Sequence, residues 1–178
     1  DLHLSLRRQR QMCIRDRKQT SPTSPLGFKS KTDNWGAFDR PINPMKLAIS
    51  AGATFVARTS HTNPKHLLEM MNLAMDHDGF GFIECLSECT EFYAGAFDAS
   101  NPRKGGEYLL VPEDHDVTDE AAAYKMAGED FPGKFGVFYQ VQRPTKNALE
   151  AGVSDAAKAK FEGKKDWEIL QNTFNKMK

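Results

Sequence analysis

The chain has 178 residues, enough to bury the core of one domain. Lysine plus arginine and aspartate plus glutamate balance at 24 each, so the net charge gives no argument for nucleic acid or an anionic membrane as partner. No apolar run approaches a membrane span, and three irregularly spaced cysteines make no disulfide framework, which points to a reducing cytoplasm.

The neutrality conceals a basic head. Residues 1–17 carry five arginines against Asp1 and Asp16, a net of +3, so the remainder sums to −3. The head is Arg-rich and acid-poor like a transit peptide, but it is not Ser-rich and has no clear amphipathic stripe, and no apolar stretch follows to make a secretory signal. Its Gln-Met-Cys-Ile-Arg-Asp-Arg (11–17) resembles translated sequencing-adapter read-through. Residues 1–17 are therefore expected to be non-native and Cys13 to carry no function. The native part is expected to begin near Lys18, with its own N-terminal part missing.

Gln19 to Pro25 is rich in proline and hydroxyls, which deny it helix and strand. It reads as a linker or as a loop whose hydroxyls and amides face a phosphate or metal. Irregular sequence continues to Pro41. Asn43-Pro44 then gives an N-cap and a proline at the first helical position, Met45, Leu47, Ala48 and Ile49 give a short apolar face, and Gly52 ends the helix. Thr54 to Thr59 reads as a strand. Asn63-Pro64 opens a second helix, with Leu67, Met70, Met71 and Ala74 on one stripe and Leu68 and Met75 widening it. Asp78-Gly79 closes it, and Phe80 to Leu86 is the next strand. This αβαβ order with short connections predicts an α/β fold with a parallel sheet covered on both faces.

From Thr90 to Val117 the periodicity dissolves into turn chemistry, with a short edge strand expected at Glu107 to Val111. Thr118 is expected to cap a modest helix with Asp119 and Glu120 in its first turn. Phe135 to Val141 reads as a strand that Arg143-Pro144 stops. Asn147 to Lys178 is helical in propensity, broken at Gly152 and Gly163, and expected to pack through Trp167, Ile169, Leu170 and Phe174.

Cys85-x-x-x-Cys89 carries the densest chemistry, at the C-terminal end of a strand, where open α/β sheets place their sites. Two cysteines cannot complete a zinc site or an iron–sulfur cluster. His61, His66 and His77 show no ligand spacing, and His61, although it follows a strand end, is given no role. Cys85, inside the apolar run, is expected in the core. Cys89 lies beside Glu88 and Glu91, which make it a poor unassisted nucleophile, so it is either inert or a metal ligand completed from elsewhere.

Five segments occur in order: Lys-Gln-Thr-Ser-Pro-Thr-Ser-Pro-Leu-Gly (18–27), Gly-Ala-Thr-Phe-Val-Ala-Arg (52–58), Pro-Lys-His-Leu (64–67), Gly-Phe-Gly-Phe-Ile-Glu-Cys-Leu-Ser-Glu-Cys-Thr-Glu-Phe (79–92) and Gly-Val-Phe-Tyr-Gln-Val-Gln-Arg-Pro-Thr (136–145). Together they resemble the C-terminal half of the β subunit of 2-oxoacid:ferredoxin oxidoreductases. The stretch from Cys89 to Asp98, with Asn101-Pro-Arg-Lys-Gly-Gly after it, looks closer to the 2-oxoglutarate type than to the pyruvate type. The resemblance implies a thiamine-diphosphate-binding fold, a doubly wound, mainly parallel α/β domain, in agreement with the αβαβ order. It also implies CoA-dependent oxidative decarboxylation of a 2-oxoacid, with electrons passing through a 4Fe–4S cluster to ferredoxin. Implied partners are the α subunit with any γ and δ subunits, ferredoxin, the 2-oxoacid and CoA.

In the same resemblance Cys89 matches one cluster ligand, with Glu88 where the family carries proline. Cys85 matches none. Lys18, Gln19 and Thr20 match the loop that lines the thiamine diphosphate and Mg²⁺ pocket. The family's other cysteines and its Gly-Asp-Gly…Asn segment are absent. The chain alone is therefore expected neither to bind thiamine diphosphate tightly nor to assemble a cluster. Residues 18–88 correspond to the later part of the cofactor domain and 89–178 to a loop-rich and helical C-terminal region. A non-catalytic interaction subunit docking through Thr90 to Ala99 and the tail, or a small metal-binding protein, stays open as an alternative.

Overall fold

The αβαβ order is present in the computed structural model, which describes residues 22–30, 35–90, 93–130 and 133–177. The chain divides into two compact units between Gln142 and Arg143. The boundary expected at 88/89 falls inside the first unit. That unit holds α1 (Pro44–Ser50), β1 (Phe55–Ser60), α2 (Pro64–Asp76), β2 (Gly81–Leu86), α3 (Glu120–Met126) and β3 (Gly136–Gln140), with single 3₁₀ turns at Asp98–Ser100 and Pro102–Lys104.

Both early helices start as their sequences dictate. Asn43 accepts from the Lys46 amide and Asn63 from the His66 amide, each followed by proline, which gives up no amide that the first turn needs. Gly52 adopts φ +83°, the left-handed position that frees the chain to enter β1.

The described sheet has the order β2-β1-β3. β1 pairs with β2 in parallel and with β3 antiparallel, with a bulge between Val56 and Ala57. The central strand is buried along its whole length. Helices cover both faces. Met45, Ala48 and Ile49 of α1 and Ala123 and Met126 of α3 pack with Val56 and Phe138, whereas Met70 of α2 packs with Phe55 and Ala57. The architecture is mixed α/β.

Several sequence expectations are corrected. Leu47 and Leu68 point to solvent, because each apolar face is narrower than its run of apolar residues. Glu107–Val111 forms no strand beyond a single parallel bridge from Leu110 to Phe135, where β3 begins. The cap of α3 is Asp119, whose carboxylate accepts from the Ala121 and Ala122 amides. Thr118 is instead held by Asp116. The charged acceptor takes the position where the helix dipole favours it.

The second unit consists of α4 (Lys146–Phe161) and α5 (Asp166–Lys176). Thr145 caps α4 through the Ala148 amide. The helix runs through Gly152, whose cost of about 1 kcal/mol relative to alanine does not outweigh its helix-forming neighbours. Gly163, at φ +75°, makes the break. Trp167, Leu170 and Phe174 are exposed among the described residues.

Candidate functional site

The parallel register sets Ser60 beside Leu86, so β1 and β2 end together. The chain leaving β1 is fixed at once. His61 donates its amide to the Leu86 carbonyl (2.9 Å), and its ring Nδ1 lies 3.1 Å from the same oxygen. A carbonyl only accepts, so Nδ1 donates in this bond. The His61 ring meets Phe97 edge-on, with centroids 6.1 Å apart. The buried Ser60 hydroxyl oxygen accepts from the Thr62 amide and hydroxyl, closing the turn into α2.

The chain leaving β2 carries Ser87, Glu88 and the half-buried Cys89. The Tyr93 amide donates to the Cys89 carbonyl (2.9 Å), and the two residues form an isolated antiparallel bridge. The Tyr93 ring stacks on Phe28 at 4.1 Å, bringing the 22–30 segment to the same end of the sheet. Glu88 accepts from the Gly95 amide at 2.9 Å. Lys104 donates to Asp98 at 2.8 Å; this bond first, and the charges of Asp98 and Glu88 after it, hold the ammonium above its ordinary value.

Two polar groupings lie deeper. His66, in the first turn of α2, is buried; its Nδ1 lies 2.9 Å from the Thr59 hydroxyl and 3.0 Å from the Tyr108 hydroxyl. Burial lowers its pKa from 6.5, and the charge of Glu69 opposes the shift. Burial likewise pushes the Tyr108 phenol above its ordinary value, with bonds to Thr59 and Ser60 working against it and the charge of Cys85 adding to it. Tyr108 also stacks on Phe135 at 4.1 Å. On the other face, Arg58 and Glu84 pair across the parallel strands at 2.6 Å, with side chains 8% and 14% exposed. Neither grouping was singled out from the sequence. The second had a signal: each otherwise uncharged strand carries one charge at its fourth residue, so a parallel register sets them opposite each other.

Cys85 is exposed rather than buried in the core. β2 has β1 on one side only among the described residues, and the packed face of α2 reaches Ile83, two residues short of it. Cys89 thus lies at the sheet end, as its sequence position implies. Lys18, Gln19, Thr20, Cys13 and Glu91 lie outside the described residues.

No protein-family model matches the chain. Curated relatives do. The 2-oxoglutarate synthase subunit KorB of Methanocaldococcus jannaschii is 33% identical over 128 residues, covering 71% of this chain and 46% of the relative. The 2-oxoglutarate oxidoreductase subunit KorB of Mycobacterium tuberculosis is 33% identical over 132 residues, 74% of this chain and 34% of the relative. Among solved structures, a chain of the 2-oxoglutarate:ferredoxin oxidoreductase from Magnetococcus marinus, with 2-oxoglutarate, coenzyme A and succinyl-CoA bound, matches with a TM-score of 0.68. It is 28% identical, over 86% of this chain and 52% of that chain.

The chain is a homologue of the β subunits of 2-oxoacid:ferredoxin oxidoreductases. It spans less than half the length of the two curated relatives. As a β-subunit homologue it can be tested against the cluster its family implies. Among the described residues, no three His, Cys, Asp or Glu side chains converge as metal ligands. Cys89 offers one thiolate where a four-iron cluster takes four. The described residues therefore do not fit a complete cluster site, and no electron-transfer step is assigned to them. Nor is any helix among them long and apolar enough to cross a membrane.

Proposed function

We propose that the chain serves in the β subunit of a 2-oxoacid:ferredoxin oxidoreductase that converts 2-oxoglutarate, with CoA, to its acyl-CoA and passes electrons to ferredoxin. The observation that carries the reading is the joint match, in sequence and in fold, to proteins named for 2-oxoglutarate. Helices on both faces of a sheet that contains a parallel pair favour a thiamine-diphosphate-binding fold. In this reading residues 18–88 form the later part of that domain and 89–178 the region after it. The complex works in the cytoplasm, with the α subunit and any γ and δ subunits.

Lys18, Gln19 and Thr20 line the pocket for thiamine diphosphate and Mg²⁺, and Cys89 supplies one of four cluster ligands, the rest coming from outside this 178-residue chain. Thiamine diphosphate, when bound, would supply carbanion chemistry. The chain's own described residues hold the end of the sheet. Leu86 orients His61, Glu88 and the Cys89–Tyr93 bridge hold the cysteine segment, and Phe28 covers Tyr93.

The test is a chimera in which the matched region of the M. jannaschii subunit is replaced by that of this chain and co-expressed with the M. jannaschii α subunit. The expected outcome is CoA-dependent reduction of a viologen dye with 2-oxoglutarate, faster than with pyruvate. A folded chimera that binds the α subunit and reduces no dye with any 2-oxoacid overturns the reading.

A further inference from the structure

Gly95 is tied back to the end of β2 by one acidic side chain. Glu88 directly precedes the cysteine, and its carboxylate reaches seven residues ahead to accept the Gly95 amide at 2.9 Å. Gly95 is not an arbitrary anchor. It adopts φ +76°, and a Cβ there would stand 3.0 Å from the Asp98 carboxylate. The segment from Gly95 to Gly106 is closed on itself. Asp98 takes the Lys104 ammonium at 2.8 Å, Asn101 takes the Arg103 amide at 3.0 Å, and the Glu107 amide returns to the Ala99 carbonyl at 2.8 Å. A Cβ at Gly106 would overlap the Asp98 carbonyl, so the backbone is tightly apposed there. This turn meets the sheet end at two points, through Glu88 and through the contact of Phe97 with His61.

We infer that Glu88 is a positioning residue for Cys89: by holding the Gly95 turn on the end of β2 it fixes how far the thiol is exposed. Proline, which the β-subunit resemblance carries at this position, restricts the backbone through its ring and has no side-chain acceptor. Glutamate achieves the restriction by a charge-assisted bond to a remote amide, with Lys104 compensating the negative charge of the turn. The inference takes Cys89 as the functional thiol of the proposed β subunit and adds a residue that acts through it.

The test labels Cys89 with iodoacetamide in the full 178-residue chain, with Cys13 and Cys85 replaced by serine. Glu88→Ala is expected to raise the labelling rate about tenfold, the opening expected when a bond to a charged acceptor is lost. Glu88→Gln, whose amide oxygen still accepts from Gly95, is expected to stay within about twofold of the parent. If Glu88→Gln reacts as fast as Glu88→Ala, the lost charge and not the lost tie governs the thiol, and the inference fails. It fails equally if Glu88→Ala leaves the rate unchanged. Hydrogen exchange guards against general unfolding: in Glu88→Ala the Gly95 amide exchanges faster while the β1 amides do not. A matching rise in β1 would show Glu88 supporting the whole fold and would also overturn it. Labelling needs no metal, so a Cys89 that proves not to be a cluster ligand leaves this result standing, and the reverse holds too.

Discussion

Arg58 and Glu84 form a buried ion pair between the central strand and its parallel neighbour, with the guanidinium also 5.4 Å from the centre of the Phe138 ring. Removing one partner leaves the other charge buried, which costs more than the intact pair contributes. Glu84→Ala is expected to lower unfolding stability by about 3 kcal/mol, read from the denaturation midpoint at unchanged m-value. His66 makes a prediction about pH. Burial lowers its folded pKa from 6.5, so as pH falls through 6.5 the unfolded chain takes up the proton that the folded chain resists. Stability therefore falls with pH below that value, until the folded His66 also protonates. His66→Gln is expected to flatten the stability profile between about pH 7 and 5.5. An unchanged slope would mean that His66 does not contribute.

Asn43 joins two helices. Its side-chain oxygen caps α1 through the Lys46 amide at 3.0 Å, and its side-chain nitrogen donates to the Ala127 carbonyl at 2.5 Å, at the end of α3. Asn43→Ala removes a cap and a tertiary bond together, an expected loss of about 2 kcal/mol in equilibrium unfolding. The cap was legible in the sequence because capping is local: Asn43-Pro44 and Asn63-Pro64 need only their own next turn. The tie to Ala127 was not, because it spans 84 positions. The same division runs through the other elements. β1 and β2 were legible from β-branched and aromatic runs. The exposure of Cys85 was not, since an apolar run does not reveal which strand lies at a sheet edge. Thr118 and Asp119 are both good caps, and only the competing acceptor at Asp116 decides between them. The thiol at the strand end was legible as chemistry, but the Glu88 bond that holds its surroundings needed coordinates.

At the level of the molecule, the sheet and its covering helices form one unit and the helical pair α4–α5 another. Cys89, the proposed cluster ligand, belongs to the first, just past the end where β1 and β2 finish together and where Phe28, His61 and Phe97 are held. The two cysteines of β2 and its exit are thereby separated: Cys85 lies on the strand and is exposed, and Cys89 lies past its end and is half-buried. Iron content and the electron paramagnetic resonance signal of the reduced chimera, in complex with the α subunit, test that separation most directly. Cys85→Ser is expected to keep about four irons per subunit and the signal, whereas Cys89→Ser loses both. Full cluster content in Cys89→Ser, or its loss in Cys85→Ser, would contradict the assignment of Cys89 as the ligand.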